Sequence, residues 1–352
     1  MNTFRDKLRQ QEQQSLSKRN PQPLDGAVAP QTSEFRQFTL QPIVGPKKQW
    51  FGSEALFRAG SEDPFTGGPN IASHIMLDNW LLYGFEELIG GRAVFLNCTR
   101  ETLLSGFLSL LPHSAVFEIP EAVKPDEEVL SVCRLLKAAG YRFALDDFES
   151  PENMEEFLDL ADFIKVDFQH SGRRNRACML RDLKLTRATL IADNIESEED
   201  FNQAVEEGFG LFQGDWVGES ISYTKKADLL DPMKCTCIFG ALEEPVFAMD
   251  ELAELVNLES GIECRLLRRA NWASSPNLVI NSTRDAFEVA GKADLQKIVT
   301  LAMTATSEEG MGFRSVPRQR TAMNFYGVDA PVRWMEMGSR MPWLCDTGEA
   351  AF

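Results

Sequence analysis

The chain has 352 residues, more than one average domain holds, with 43% apolar and 25% charged residues, the make-up of a globular protein. A formal net charge of −17 argues against binding to a DNA or RNA backbone, because there is no cationic excess to displace counterions. No apolar run is long enough to span a bilayer, residues 1–30 lack the apolar core of a signal peptide, and the seven cysteines are scattered without zinc spacing, so a cytoplasmic protein with reduced thiols and no membrane partner is expected.

Residues 1–33 are polar and Pro-containing and read as a flexible tail, with a polar helix at Lys7 to Arg19 that nothing would bury. The pattern then tightens. Phe38 to Ile43 and Trp50 to Arg58 read as strands, and Ala72 to Leu88 has apolar residues at helical spacing. Strand and helix alternate from there. Strands are expected at Ala93–Asn97, Ala115–Ile119, Tyr141–Asp146, Phe163–Asp167 and Thr189–Asp193, with Gly210–Gly214 closing the series. The helices between them are expected at Arg100–Leu111, Asp126–Ala139, Glu152–Leu160, Asn175–Leu183 and Glu198–Glu207. Repeated βα units with short connections imply a parallel sheet, and a span of roughly 200 residues favours a closed TIM-like (β/α) barrel. From Ala227 the chain reads as helical, with helices at Met249–Val256, Gly261–Arg268, Arg284–Val289 and Ala293–Thr306. The expected organisation is a tail (1–33), a barrel (34–226) and a smaller all-α domain (227–352).

In such barrels the reacting groups sit at the C-terminal strand ends. Here those ends carry Asn97, Glu118, Asp146 with Asp147, Lys165 with Asp167, Asp193 and Gln213, while Glu54 lies within its strand. Adjacent carboxylates repel unless a cation neutralises them, and hard divalent ions prefer oxygen ligands. Glu54, Asn97, Glu118 and Asp146 can supply four oxygens to one ion, and Asp146 with Asp147 can hold a second. Two such ions serve in-line displacement at phosphorus. Lys165 can hold the attacking water, and Arg58, four residues after Glu54, has a planar fork suited to phosphate. The residues therefore point to a metal-dependent phosphodiesterase.

Glu54-Ala55-Leu56-Phe57-Arg58 resembles the signature of the EAL domain, the bacterial cyclic di-GMP phosphodiesterase module. The likeness spans about residues 35–225. It continues through Gln41-Pro42-Ile43-Val44, Asn97, Glu118-Ile119-Pro120-Glu121, Ala144 to Phe148, Ile164 to Asp167, Ala192 to Glu196 and Gln213-Gly214. It implies hydrolysis of cyclic di-GMP to linear pGpG with two Mg²⁺ or Mn²⁺ ions, commonly in a homodimer. On that analogy Glu54, Asn97, Glu118, Asp146 and Asp147 bind metal, and Glu54, Lys165 and Asp193 are catalytic. Gln41, Leu56, Arg58 and Gln213 contact the substrate, and Glu121 anchors a loop near the dimer interface. Two features depart from the family. Glu149 to Met154 replaces a Gly-rich loop, and Asp193-Asn194 stands where Glu-Gly is usual. These leave open an alternative, a catalytically degenerate EAL domain that acts as a cyclic di-GMP receptor or a protein scaffold.

The segments Asp250–Val256, Cys264–Asn271 and Ala286–Gly291 resemble the helices of an HDOD domain, a relative of HD phosphohydrolases without their metal site. No histidine follows His170, so a His-Asp metal centre cannot be built there. This region is expected to bind an unknown protein partner and regulate the barrel.

Overall fold

The computed structural model describes residues 35–57, 69–149, 154–183, 186–226, 230–244, 248–275 and 278–308. The tail, with its expected helix, Arg58 and most of the segment after Glu149 lie outside them.

Among the described residues nine strands occur: β1 (Phe35–Val44), β2 (Trp50–Phe57), β3 (Ala93–Asn97), β4 (Ala115–Pro120), β5 (Arg142–Asp146), β6 (Phe163–Asp167), β7 (Thr189–Asp193), β8 (Leu211–Gln213) and β9 (Ile221–Lys226). Strands β2 to β8 run parallel in chain order, and β1 sits between β8 and β2, closing an eight-stranded barrel. The expectation of an all-parallel sheet fails at β1, which is antiparallel to both neighbours. Only residues 45–49 join β1 to β2, too few for the crossover a parallel pair needs. β9, which periodicity did not reveal, extends the sheet by pairing antiparallel with the first half of β1.

The barrel helices are α1 (Pro69–Tyr83), α2 (Phe85–Leu88), α3 (Arg100–Leu104), α4 (Glu127–Ala138), α5 (Glu155–Leu158), α6 (Arg173–Asp182) and α7 (Glu198–Glu207). Several start at polar caps, as the side chains of Thr99, Asp126 and Ser197 accept from backbone N–H groups three residues on. Two expected single helices are broken by glycines at positive φ, Gly84 after α1 and Gly106 after α3. After the barrel come α8 (Pro232–Glu243), missed in the sequence, then α9 (Met249–Asn257), α10 (Ser260–Ala273) and α11 (Thr283–Glu308), the last interrupted at Gly291. None of the helices described is long and apolar enough to cross a membrane.

The C-terminal helices pack onto α1. Fully buried Arg265 of α10 grips fully buried Asp78 of α1 through Nε and Nη2, each at 2.7 Å, and Arg36 of β1 binds the same carboxylate. Arg268 donates to the carbonyls of Leu81 and Leu82, and the Trp272 indole donates to Glu86 at 2.6 Å. The fold is thus an eight-stranded α/β barrel with C-terminal helices docked on it.

Inside the barrel lies an apolar layer: Ile43, Ala93, Phe95, Val116, Ala144, Phe163, Ile191 and Leu211, with Phe51 packed against it. It floors the site.

Candidate active site at the barrel mouth

Side chains on a strand return to the same face every second residue. One step of two along the parallel strands therefore lifts the chain from the apolar layer to a polar one. Phe95 leads to Asn97, Val116 to Glu118, Ala144 to Asp146, Phe163 to Lys165, Ile191 to Asp193 and Leu211 to Gln213. On antiparallel β1 the step runs backwards, from Ile43 to Gln41, and Gln41 pairs in register with Glu54 of β2.

Lys165 is the hub of this layer. Its Nζ lies 2.9 Å from Glu54 Oε2, 3.1 Å from Glu118 Oε1, 3.1 Å from Asp146 Oδ1 and 3.9 Å from Asp193 Oδ2. Glu54 is further held by Gln213 Nε2, which donates to Oε2 at 2.6 Å, and by Asn97 Nδ2, which donates to Oε1 at 2.9 Å. Gln213 Nε2 also reaches Gln41 Oε1 at 3.1 Å. The structure thus brings together Gln41, Glu54, Asn97, Glu118, Asp146, Lys165, Asp193 and Gln213.

Four carboxylates share one ammonium, so they do not ionise alike. Burial opposes the charge on Glu54, but Lys165 and the Gln213 hydrogen bond outweigh it and hold this carboxyl below its ordinary range. Glu118 is pushed well up by burial and by the neighbouring charge of Glu54. Burial raises Asp193 to about 6, with Lys165 opposing and Glu54 adding to the rise. Burial also works against the charge on Lys165, yet the carboxylates around it raise its pKa well above the usual value.

A raised folded-state pKa means that Asp193 favours folding when protonated. That contribution is complete below the ordinary value of 3.8 and is lost as pH rises through about 6. Asp193→Asn is therefore expected to stabilise the metal-free protein at neutral pH by up to about 3 kcal/mol, with the gain vanishing near pH 4. Paired melting curves at the two pH values in EDTA check this.

The donor set fits a hard divalent cation. Buried Glu118 has beside it only the Lys165 ammonium that it shares with three other carboxylates, so the acids outnumber the one cationic group within the layer. Among the described residues no three acidic, His or Cys side chains already stand at coordinating spacing, and it is the Lys165 ammonium that stands where the carboxylates meet.

Other expected site residues lie further out. Asp147 is exposed and adopts φ 50°, with its pKa raised by partial burial and by Asp146. Leu56 is half-buried on β2 opposite Thr39, and Glu121 is half-buried in the turn after β4. Gly214 follows Gln213 at φ 140°, and a Cβ there would lie 2.3 Å from the backbone N of Ile195. Gly214→Ala is expected to displace Gln213 and lower the melting midpoint by several degrees, corresponding to about 2 kcal/mol or more. A thermal melt checks it.

Sequence reading missed a second polar cluster on the same face. Asp167 Oδ1 accepts from the backbone N–H groups of Gln169 and His170, and Oδ2 contacts His170 Nδ1 at 2.7 Å and Asn194 Nδ2 at 2.9 Å. The available signal was the three-residue spacing of Asp167 and His170 just beyond the lysine strand.

No family model matches the chain. The fold and site define an α/β barrel protein with a lysine-centred, carboxylate-lined mouth, and sequence comparison places relatives beside it. The chain is 26% identical over 273 residues to the cyclic di-GMP phosphodiesterase CdgJ of Vibrio cholerae, covering 75% of this chain and 63% of that protein. It is 30% identical over 187 residues to the uncharacterised protein YuxH of Bacillus subtilis, covering 51% of this chain and 46% of that protein. The chain thus spans about half to two-thirds of the lengths of these curated relatives. Among solved structures, the EAL enzyme Bd1971 with cAMP and cyclic di-GMP aligns at TM-score 0.46 and 19% identity, covering 61% of this chain and 66% of that one. Bacillus subtilis YkuI, which has an EAL domain and was solved with cyclic di-GMP and calcium, aligns at TM-score 0.45 and 22% identity, covering 56% and 58%.

Proposed function

We propose that the chain is an EAL-family cyclic di-GMP phosphodiesterase that hydrolyses the cyclic dinucleotide to linear pGpG. The observation that carries the reading is the ring of Glu54, Glu118, Asp146 and Asp193 around the single ammonium of Lys165. Similarity to a cyclic di-GMP phosphodiesterase over three-quarters of the chain supports it. Glu54, Asn97, Glu118, Asp146 and Asp147 are the residues that would hold Mg²⁺ or Mn²⁺. Bound there, the two ions supply Lewis-acid activation of water and charge neutralisation on the phosphodiester.

The chain's own residues divide the remaining work. Lys165 is ion-paired with the carboxylates, and we assign it to holding the attacking water and balancing phosphate charge. Asp193, whose carboxylate stands 3.9 Å from Lys165, is assigned to accept that water's proton. Gln213 orients Glu54 and also donates to Gln41, and we assign Gln41, Leu56, Arg58 and Gln213 to substrate contact. Glu121 is assigned to the loop beside a homodimer interface. We read the helices from Pro232 onward as an HDOD-like module that binds a protein partner, in a cytoplasmic protein.

A second reading, a receptor without turnover, is favoured by the exposure of Asp147 and by the Lys165 ammonium at the carboxylates' meeting point. Incubating the protein with cyclic di-GMP and Mn²⁺ and separating the nucleotides decides between them. Formation of pGpG supports the enzyme. A ligand-induced rise in melting midpoint without product supports the receptor, and neither result leaves a scaffold.

A further inference from the structure

The Asp167–His170 pair is built more firmly than a turn requires. All four donors on Asp167 come from three residues: Gln169 N, His170 N, His170 Nδ1 and Asn194 Nδ2. Gln169 in turn donates through Nε2 to the Asn194 carbonyl at 3.1 Å and to Asp200 Oδ2 at 2.9 Å. The imidazole so held is 85% exposed along its side chain, so its far edge faces solvent.

This cluster is wired to the polar layer. The Asn194 backbone N–H donates to Asp193 Oδ1 at 2.8 Å, and Asp193 Oδ2 stands 3.9 Å from Lys165. Asn194 adopts φ 58°, a backbone that asparagine tolerates better than most residues. A glycine would adopt it freely but could not reach Asp167. Asn194 thus ties the Asp193 carboxylate to the Asp167–His170 pair at the rim.

Resting on the phosphodiesterase or receptor reading of the same mouth, we infer that His170, oriented by Asp167 and Asn194, contacts a phosphoryl oxygen of the bound dinucleotide. The contact is a charge-assisted hydrogen bond from Nε2. The charges that act most strongly on the imidazole are acidic, those of Asp167, Asp147 and Glu149, and Asp200 is tied in through Gln169. They favour the protonated ring, the hydrogen bond to Asp167 first among them. Glu54, Glu118 and Asp146 would hold a metal ion at the buried end of the mouth, whereas His170 acts at the outer end and sets affinity.

Calorimetric titration of the full chain with cyclic di-GMP in Ca²⁺ tests the assignment at several pH values between about 6 and 8. His170→Ala and His170→Gln are run beside the native protein. The expected result is a Kd about tenfold higher for His170→Ala at pH 6. The difference should shrink as pH rises and the native imidazole deprotonates, and His170→Gln, which restores a neutral donor, should lie between the two. Equal Kd values and parallel pH profiles for native protein and variants would overturn the inference while leaving the cyclic di-GMP reading intact. Absence of binding by the native protein would overturn both.

Discussion

On the phosphodiesterase reading, replacing Glu54 by glutamine is expected to lower metal-dependent hydrolysis of cyclic di-GMP by about 10³-fold or more while leaving the barrel folded. Glu54 is 4% exposed and takes three donors, from Lys165, Gln213 and Asn97. Glutamine keeps the shape and one acceptor, which the Lys165 and Gln213 donors can use. Its amide nitrogen then faces Asn97, whose own amide can turn to present oxygen. What is lost is one negative charge from a site that holds four carboxyl groups against one ammonium. Loss of that charge weakens any divalent ion bound there but relieves repulsion on Glu118, so the melting midpoint should move little. The check is product formation with Mn²⁺ beside a thermal melt. A variant that turns over at the native rate would remove Glu54 from the site, and a variant that unfolds would show that its role is structural.

The second large effect lies outside the mouth. Asp78→Ala is expected to destabilise the protein by about 3–5 kcal/mol, because it removes the buried carboxylate that the Arg265 and Arg36 guanidinium groups share. Arg265 would keep only the Gly261 carbonyl at 2.7 Å, and Arg36 would keep Asn79 Oδ1 at 3.0 Å among its side-chain acceptors on α1. The melting midpoint should fall by on the order of 10 °C. The sign of the pH dependence follows from Asp78 itself. Burial opposes its charge, but Arg265 and Arg36 hold its pKa down to about 2. Its stabilising contribution is therefore present above the ordinary value of 3.8 and is lost as pH falls towards 2, so native and variant curves should converge in acid. Hydrogen exchange should report loosening first in α10, where Arg265 sits. If α10 stays protected, the barrel and the C-terminal helices are held together by apolar packing instead.

The contrast between these two sites shows how far the sequence could be read. The mouth was legible because the barrel imposes period two. Alternation along Phe163-Ile164-Lys165 or Val116-Phe117-Glu118 already places an apolar residue on the floor and a polar one above it. Strand after strand ending in a polar residue then marks a common face. The Asp78–Arg265 contact was not legible. Its partners are 187 residues apart, and α1 carries an aspartate amid apolar neighbours that a periodicity argument reads as a solvent-facing position. β9 was missed for a similar reason: Ile221 to Lys226 is polar and short, and it is a strand because the first half of β1 offers it a free edge. The helix breaks at Gly84 and Gly106 were present as glycines, but a glycine within an apolar pattern does not say by itself whether the chain turns there.

By itself the sequence determined the alternation of strands and helices, the closed barrel and the residues that stand at its mouth, because side-chain period and strand-end chemistry are local properties. The tertiary structure alone decided that β1 runs against its neighbours and that Lys165 stands among four carboxylates with unequal proton affinities. It also decided that Asn194 ties Asp193 to His170, and that the C-terminal helices are clamped to the barrel through Asp78. Each of these depends on distances between groups far apart in the chain. Burial and charge, which set their energies, exist only once the chain has closed around them.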